Sequence, residues 1–568
     1  MADQVLNRLQ QYKEFSAETI LTGSSGDSAP ISPKIDQKYP ITTLISLYDP
    51  DCIGNRTLAT FVKSKIGHSV NQVYFKDLFP EKYPYVEGEL DLLIDLLKQT
   101  KTELIGISLR SSSCTTAESV VRRIRKDLKN IPILIGGTHA IICAEECFNL
   151  GDMVCIGEGE LPFLELLENF QGGFEKIKGI KGIWFKDDFF KEKQNCVEYK
   201  NKDNPIIENE QSKNTDLDDI PPIDFSNENK WFIENGLVSL GDPLTDRTVG
   251  EVFSARGCPY RCTFCLNNVL EEFMHDGDFV RMRAVDLVIQ DIYNIKKYYK
   301  NLNKIVFADE VFGWNVKWSD EFCQKYKKHF PDLPFAALFS PSALKEDTVD
   351  KMAAAGLSHG RIGVQSGDQG QRLSLYDRHE TNEEIIKVTK QFHRNKVRFT
   401  FDAIVNNPYE TPEVLKESLR FFMEIPKPYE MNMHSLVYFP KTNLTKKAVA
   451  DGWITEEMIE GPGQDEALRI SHVLVRNKKR LYTYPDKLFW NSILSLCSKS
   501  FIPSRLITFL SDCKFLEKNP AMIYWFSRLI NSLNIGFIGF KMLGNREIRV
   551  SDVWHHLRSL KFVTTVNK

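Results

Sequence analysis

From Lys38 onward the chain alternates short β-branched runs with amphipathic stretches, and it does so twice. The first series reads "ITTLISLY", "NRTLATFVKSKIG", "SVNQVYF", "GELDLLIDLLKQT", "ELIGISL", "TTAESVVRRIRKDLKN", "IPILIGG", "AEECFNLG" and "DMVCIG". Compact apolar runs bounded by turn residues predict strands, and the helically spaced stretches between them predict helices. Strand and helix taken in turn predict an α/β fold, here a doubly wound, Rossmann-like parallel sheet over residues 38–172. Ligands of such sheets sit beyond the C-terminal strand ends. Glycines fall there: Gly54, Gly136, Gly137, and Gly157 and Gly159 of "GEGE". The first of these turns reads "YDPDCIGNRT" and lacks the G-x-G-x-x-G phosphate loop, which argues against a dinucleotide site.

The second series starts near Thr248, with strands expected at "GEVFSA", "KIVFADE", "FAALFS", "GRIGVQSG", "RFTFDAIV" and "EMNMHSLVYF". Helices such as "VDLVIQDIYNIKKYYKN" and "NEEIIKVTKQFHRNK" separate them. Six βα units in succession predict a partial (β/α)6 TIM-type barrel over 246–460. Residues 1–37 read as a polar arm, and 173–245 as a hairpin followed by a Pro-containing interdomain linker. Residues 461–568 read as a helical, basic C-terminal domain. From Ser471 to Lys568 there are 16 Lys and Arg against 5 Asp and Glu, although the whole chain carries a net charge of −3.

The loop after the first strand of the second series reads "SARGCPYRCTFCLNN", where barrel chemistry belongs. It holds Cys258, Cys262 and Cys265 within eight residues. Three readings compete. A closed zinc site needs a fourth ligand, and His275 and Cys323 do not stand at finger-like spacing. A redox dithiol on "CTFC" leaves Cys258 unexplained. A cubane iron–sulfur cluster held by three thiolates keeps one iron open for a further ligand. The other nine cysteines are scattered and read as small buried apolar residues.

"CPYRCTFC" resembles the C-x3-C-x2-C signature of the radical S-adenosylmethionine (SAM) superfamily, including the aromatic Phe264 before the third cysteine. The resemblance implies a 4Fe–4S cluster on Cys258, Cys262 and Cys265. SAM would then bind the open iron and be cleaved reductively to methionine and a deoxyadenosyl radical. It further places Asp309 and Glu310 of "FADEVF" at the SAM amino group. Gln365 and Ser366 of "GVQSG" fall at the family's ribose element, where a glutamate usually stands in place of Gln365. "NNPYETPEVLKES" is similar to a further family segment, but it also reads as a capped helix start.

The first series resembles the cobalamin-binding domains fused ahead of radical SAM barrels, and the two resemblances together span about residues 40–460. The shared marks are Asp49 and Gly54 of "DPDCIG", Ser108 of "SLR", Gly136 and Gly137 of "IGGTH", and Gly157, Glu158 and Gly159 of "CIGEGE". Asp51 stands where the family's axial histidine would be. The resemblance therefore implies bound cobalamin without an imidazole below the cobalt. The expected activity is methylation of an unactivated carbon. A cyclase or oxidative rearrangement enzyme of the same superfamily is the alternative, and a non-catalytic cobalamin or redox sensor is a third.

Tyr409, His434 and Tyr438 lie near expected strand ends, within reach of a small-molecule or lipid-like substrate. An electron donor such as flavodoxin or ferredoxin is implied, and no nucleic-acid module is recognisable. No apolar run is long enough to span a bilayer and no signal segment opens the chain, so a cytoplasmic protein is expected, either free or membrane-associated through its C-terminal segment, and the radical SAM resemblance implies an anaerobic enzyme. The basic C-terminal segment is read as a helical cap or as a peripheral membrane contact.

Overall fold

The computed structural model describes residues 38–76, 85–186, 206–274, 279–345, 347–459 and 485–544. The expected N-terminal arm, His275 and the start of the basic segment lie outside the described residues. The chain divides into two compact units, Met1–Leu302 with Tyr438–Leu468, and Asn303–Val437 with Arg469–Lys568.

The first series folds as anticipated. Its strands are β1 (Thr42–Leu47), β2 (Asn71–Phe75), β3 (Leu104–Ser108), β4 (Ile133–Gly136) and β5 (Met153–Cys155). Between and after them lie α1 (Ile53–Ile66), α2 (Glu87–Gln99), α3 (Cys114–Asp127), α4 (Thr138–Ile142), α5 (Ala144–Cys147) and α6 (Glu160–Asn169). The five strands are parallel, in the order β5-β4-β3-β1-β2. Side chains alternate across each strand, so the sheet needs a core on both faces. Ile45 and Leu47 pack on one face with Leu93 and Leu97 of α2 and Val120 and Ile124 of α3. Leu44 packs on the other with Val62 of α1 and Leu166 and Leu167 of α6.

The segment that reads as an interdomain connection does more than connect. It supplies β6 (Ile183–Lys186), β7 (Ile206–Ile207), β8 (Lys230–Glu234) and β9 (Leu237–Leu240), giving a nine-stranded sheet ordered β7-β6-β5-β4-β3-β1-β2-β8-β9. β6 runs antiparallel to β5, and β8 runs parallel to β2. Edge strands this short leave only a weak period-two signal, while polar neighbours dominate the composition.

Buried charge fixes this return path. Arg56 of α1 and Asp242, just past β9, are ion-paired at 2.5 Å with both side chains at 0% exposure. Lys230 of β8 reaches the same carboxylate at 3.1 Å, and the Arg56 guanidinium lies 4.5 Å from the Tyr74 ring centre.

After this sheet the first unit adds β10 (Val249–Val252), β11 (Ala255–Arg256), α7 (Leu266–Phe273), β12 (Arg281–Met282) and α8 (Val285–Tyr298). The second unit holds β13 (Lys304–Phe307), α9 (Val316–His329), β14 (Phe335–Phe339), α10 (Thr348–Ala355) and β15 (Leu357–Gln365). It continues with α11 (Gln369–Tyr376), α12 (Asn382–Arg394), β16 (Arg398–Val405), α13 (Pro412–Glu424) and β17 (Glu430–Ser435). The strands β13 to β17 are parallel and adjacent in sequence order, as in a partial (β/α) barrel. Local chemistry starts its helices: Thr381 and Glu384 form a reciprocal capping box on α12. Thr411 caps α13 with Pro412 in its first turn, so "NNPYETPEVLKES" is a capped helix start.

The C-terminal segment is helical, with α14 (Pro485–Cys497), α15 (Ser504–Ser511), α16 (Lys514–Lys518) and α17 (Pro520–Gly544). α14 is anchored on the loop after β16. Lys487 donates to the Asn407 carbonyl, and Asn491 Nδ2 donates to Asn406 Oδ1 at 2.9 Å.

Asp242→Ala leaves two buried cations without their carboxylate. We expect a loss of about 3–5 kcal/mol in denaturant unfolding. A change below about 1 kcal/mol means that the pair does not hold the return path.

Candidate functional site

Cys258, Cys262 and Cys265 lie on the loop between β11 and α7. The loop is short because two local devices turn it. Cys265 N–H donates to the Cys262 carbonyl at 3.0 Å, and Cys265 then serves as the N-cap residue of α7. Gly257 has φ +80°, and a Cβ there would come within 2.4 Å of the Phe279 carbonyl oxygen. Only glycine takes that backbone at no steric cost, which explains the "RGC" entry to the loop. Cys262 is buried, and Cys258 and Cys265 are partly exposed.

Four contacts hold this loop, all inside the first unit. β11 and β12 form a two-residue antiparallel pair that sets Arg256 opposite Arg281. Like charges placed opposite one another repel. Here Glu158, beyond the end of β5, lies between them. Arg256 Nη1 is 3.1 Å from Glu158 Oε1, and Arg281 donates to both Glu158 oxygens. Arg256 Nη2 also reaches Glu160 at 2.6 Å, and the Thr215 N–H donates to Glu158 at 2.9 Å. Burial pushes the Glu158 carboxyl up, but Arg256 and Arg281 outweigh it and hold it below its ordinary range. Third, Val269 of α7, flanked by Leu266, Leu270 and Phe273, packs on Ile142 and Cys143 at the end of α4. Fourth, the Leu444 N–H, from the helix Asn443–Ala450, donates to the Thr263 carbonyl at 2.9 Å.

Glu158, expected at a cofactor, is therefore committed to the cysteine loop. Arg256 and Arg281 were not singled out in the sequence. "SARGC" places Arg256 two residues before Cys258, yet its partner lies 98 residues earlier in the chain.

A second cluster occupies the strand ends of the sheet. Ser46, Ser108 and Gly136 are register partners across β1, β3 and β4. Gly137 has φ +93°, and a Cβ there would meet the Leu109 backbone at 2.7 Å. At Gly54, in the first turn of α1, and at Gly157 an added Cβ meets nothing within 4 Å, so both positions border open space. Asp49 accepts from the Cys52 N–H at 3.1 Å and faces Arg110 at 3.5 Å. Burial raises its carboxyl, and Arg110 opposes the rise. Asp51, at the axial-histidine position, is paired with Arg247 at 3.0 Å. Glu251 of β10 feels both aspartates: burial, reinforced chiefly by Asp51, pushes its carboxyl up to about 7.

Residues 252–422 match the radical SAM superfamily, and residues 46–167 match the B12 binding domain. The chain joins a B12-binding domain to a radical SAM domain. Among curated relatives, an uncharacterized methyltransferase, PH0819 of Pyrococcus horikoshii, is 24% identical over 360 residues, covering 63% of this chain and 71% of that protein. The anaerobic magnesium-protoporphyrin IX monomethyl ester cyclase of Cereibacter sphaeroides is 23% identical over 337 residues, 58% of this chain and 50% of that one. The chain thus spans about half the length of the cyclase. Among solved structures, the cobalamin-dependent SAM radical enzyme OxsB, with aqua-cobalamin and SAM bound, shares the fold with a TM-score of 0.61 at 15% identity. That match covers 93% of this chain and 84% of OxsB.

SAM and a 4Fe–4S cluster come with the radical SAM domain, and cobalamin with the B12-binding domain. The residues present fit both. Among the described residues, His139, Cys143 and Glu146 form the one group of three that brings its ligand atoms within 4.8 Å of one another, as a single ion requires. The loop supplies three thiolates, one for each of three irons of a cubane, whereas a closed zinc site needs a fourth N or S ligand. For cobalamin, the fitting features are the row Ser46–Ser108–Gly136 and the open ends at Gly54 and Gly157.

In the second unit, Asp309 follows β13 and is 2% exposed, whereas Glu310 is exposed. Gln365 ends β15 with φ +67°, at a register shift against β16. A non-glycine residue in the left-handed region is uncommon and tends to mark ligand sites. Ser366 behaves differently. Its hydroxyl lies 3.3 Å from Ser418 Oγ of α13 and accepts from the Asp368 N–H at 3.2 Å, which ties it to the helix layer. His434 is mostly exposed and lies 3.5 Å from Asp402 of β16. The Tyr409 N–H donates to Asn407, and Tyr438 belongs to the first unit.

Asp402 was missed in the sequence. Arg361 of β15 reaches it at 2.9 Å and Asn432 of β17 at 3.0 Å, so one carboxylate of β16 gathers side chains from both flanking strands. The available signal was an acidic residue inside the otherwise apolar run "RFTFDAIV".

The raised carboxyl of Glu251 has a defined sign. An unfolded glutamate titrates near ~4.3, so stability from the protonated form is fully present below that pH and is lost as pH rises through about 7. Glu251→Gln stays neutral. Its stability relative to the parent should grow by about 2 kcal/mol between pH ~5 and pH ~8, read from thermal unfolding across pH. Parallel pH profiles for the two proteins would sink the assignment.

Proposed function

We propose that the chain is a cobalamin-dependent radical SAM methyltransferase acting on an unactivated carbon of a small-molecule or lipid-like substrate. The observation that carries this reading is the grip of the B12-binding domain on the cysteine loop, through Glu158 and Glu160 on Arg256 and Arg281. When bound, the cluster supplies the electron that cleaves SAM, and cobalamin supplies the methyl group.

In this reading Cys258, Cys262 and Cys265 are the thiolate ligands, and Phe264 packs beside them. Asp309, a buried carboxylate, receives the cationic amino group of SAM. Gln365, held in a strained conformation, hydrogen-bonds the ribose, while Ser366 positions the turn behind it. Asp49, Gly54, Ser108, Gly136 and Gly137 line the cobalamin tail, and Gly157 and Gly159 shape the adjoining turn. Asp51, neutralised by Arg247, is not offered to cobalt. We place the cobalamin domain at 38–172 and the barrel at 246–460, in a cytoplasmic, anaerobic enzyme supplied by flavodoxin or ferredoxin.

The test is a product assay on anaerobically purified protein reconstituted with iron, sulfide and cobalamin, then given SAM and a strong reductant. Deoxyadenosine and S-adenosylhomocysteine should both form, and each single Cys→Ala variant of the loop should reduce both to background. Deoxyadenosine without S-adenosylhomocysteine would favour a rearrangement or a cyclisation, the latter being the activity named for the Cereibacter relative. Failure to assemble a cluster on the parent protein overturns the proposal.

A further inference from the structure

Among the described residues, the helices after α14 carry an apolar face that no other element covers. α14 itself is core: Phe489, Trp490, Ile493 and Leu494 are all at 4% exposure or below. α15, α16 and α17 all pack on it. The rotation of α17 is fixed by its inner side, where Ile523 and Ser527 are buried and Asn531 Nδ2 donates to Ser495 Oγ of α14 at 2.8 Å. The outer side carries Met522, Trp525, Phe526, Leu529 and Leu533, each 43–62% exposed. Their spacing of three, one, three and four residues places them on a single helical stripe. Phe509 of α15 (68%) and Phe515 of α16 (62%) add to it. Scattered exposed apolar residues are ordinary, but a stripe this concentrated marks a binding surface.

The chemistry at its margin selects the occupant. Arg505, Lys514, Lys518 and Arg528 are all exposed, against Asp512 and Glu517 in the same stretch. The excess is positive, as it is over the whole segment from Ser471. Trp525 and Tyr524 sit together in this stretch, 5.4 Å between ring centres. Aromatic rings with basic side chains around an apolar stripe match the boundary between headgroups and acyl chains of an anionic bilayer. No described helix is long and apolar enough to cross a membrane, so the geometry is that of a helix lying on the surface.

We propose that the outer face of α15–α17 docks the protein peripherally on an anionic membrane surface. Docking of this kind does not depend on the chemistry of the cofactor sites, so it stands or falls separately from the methyltransferase reading.

The test is flotation of the full-length, cluster-loaded protein with two kinds of vesicle. One is pure phosphatidylcholine, and the other contains about a third phosphatidylglycerol. The protein should float with the anionic vesicles at least tenfold better than with the neutral ones, and less so in ~0.5 M salt. Phe509→Ser with Trp525→Ser and Leu529→Ser should lower flotation at least tenfold. These three side chains are exposed, so the variant should keep its unfolding temperature and cluster absorbance. Lys514→Glu with Arg528→Glu, which leaves the apolar stripe intact, should abolish the preference for anionic lipid. The proposal is overturned if the parent floats with neither vesicle or if the triple serine variant floats as well as the parent. It is also overturned if light scattering shows a parent dimer that the serine variant converts to monomer without any vesicle binding, because the face is then an interface between copies.

Discussion

Glu158 joins the two halves of the chemistry. It follows β5 of the B12-binding domain, yet its partners, Arg256 and Arg281, border the cysteine loop of the radical SAM domain. Removing three charges from water is expensive, and the interaction repays this only when geometry and hydrogen bonds are complete. The arrangement meets that condition through Glu160 on the second guanidinium nitrogen of Arg256 and the Thr215 N–H on Glu158. The two arginines would repel each other across the β11–β12 pair without the carboxylates. The cysteine loop thus draws the carboxylates that offset this repulsion from beyond the strand end of the first sheet.

The same logic governs the route of the chain between the two domains. Arg56, Lys230 and Asp242 share one buried site, and together they bring β8 and the turn after β9 back to α1. A hydrophobic replacement of similar volume would bury as well, but any compact apolar packing would satisfy it. A guanidinium with two hydrogen bonds to one carboxylate accepts a single geometry. The segment leaving Asp242 therefore enters β10 at a defined place, next to Asp51 and Arg247.

Periodicity made both series of strands and helices legible, because burial on both faces leaves continuous apolar runs such as "ILIG" and "LIGIS". The cysteine spacing was legible because ligation needs particular atoms in a short loop. A hairpin was legible around β6, but the edge strands β7 to β9 were not, since two to five residues carry little pattern and part of each faces polar neighbours. Long-range ion pairs were not legible for a different reason. Asp51 reads as a vacant ligand position until Arg247, 196 residues later, is seen on its carboxylate. Nothing in "VQSG" announces the backbone strain at Gln365 or the contact of Ser366 with Ser418. For α17 the sequence gives an apolar helix, but which side meets α14 depends on packing that no single-helix pattern contains.

Radical chemistry puts a further demand on this architecture. Two cofactors that act on one substrate must be held at a fixed separation, because small errors in approach are costly. A loop after a barrel strand is ordinarily the mobile part of such a fold. Here the loop that carries the three thiols falls in the same compact unit as the nine-stranded sheet. It is held from four directions: a β-pair, an arginine–glutamate cluster, the α7–α4 packing and the Leu444 hydrogen bond. Loosening any one of these leaves the cysteine spacing unchanged but frees the loop to shift against Ser46, Ser108 and Gly136. In the proposed reading, the precision of methyl delivery therefore rests on residues that touch neither cofactor, with Glu158 foremost among them.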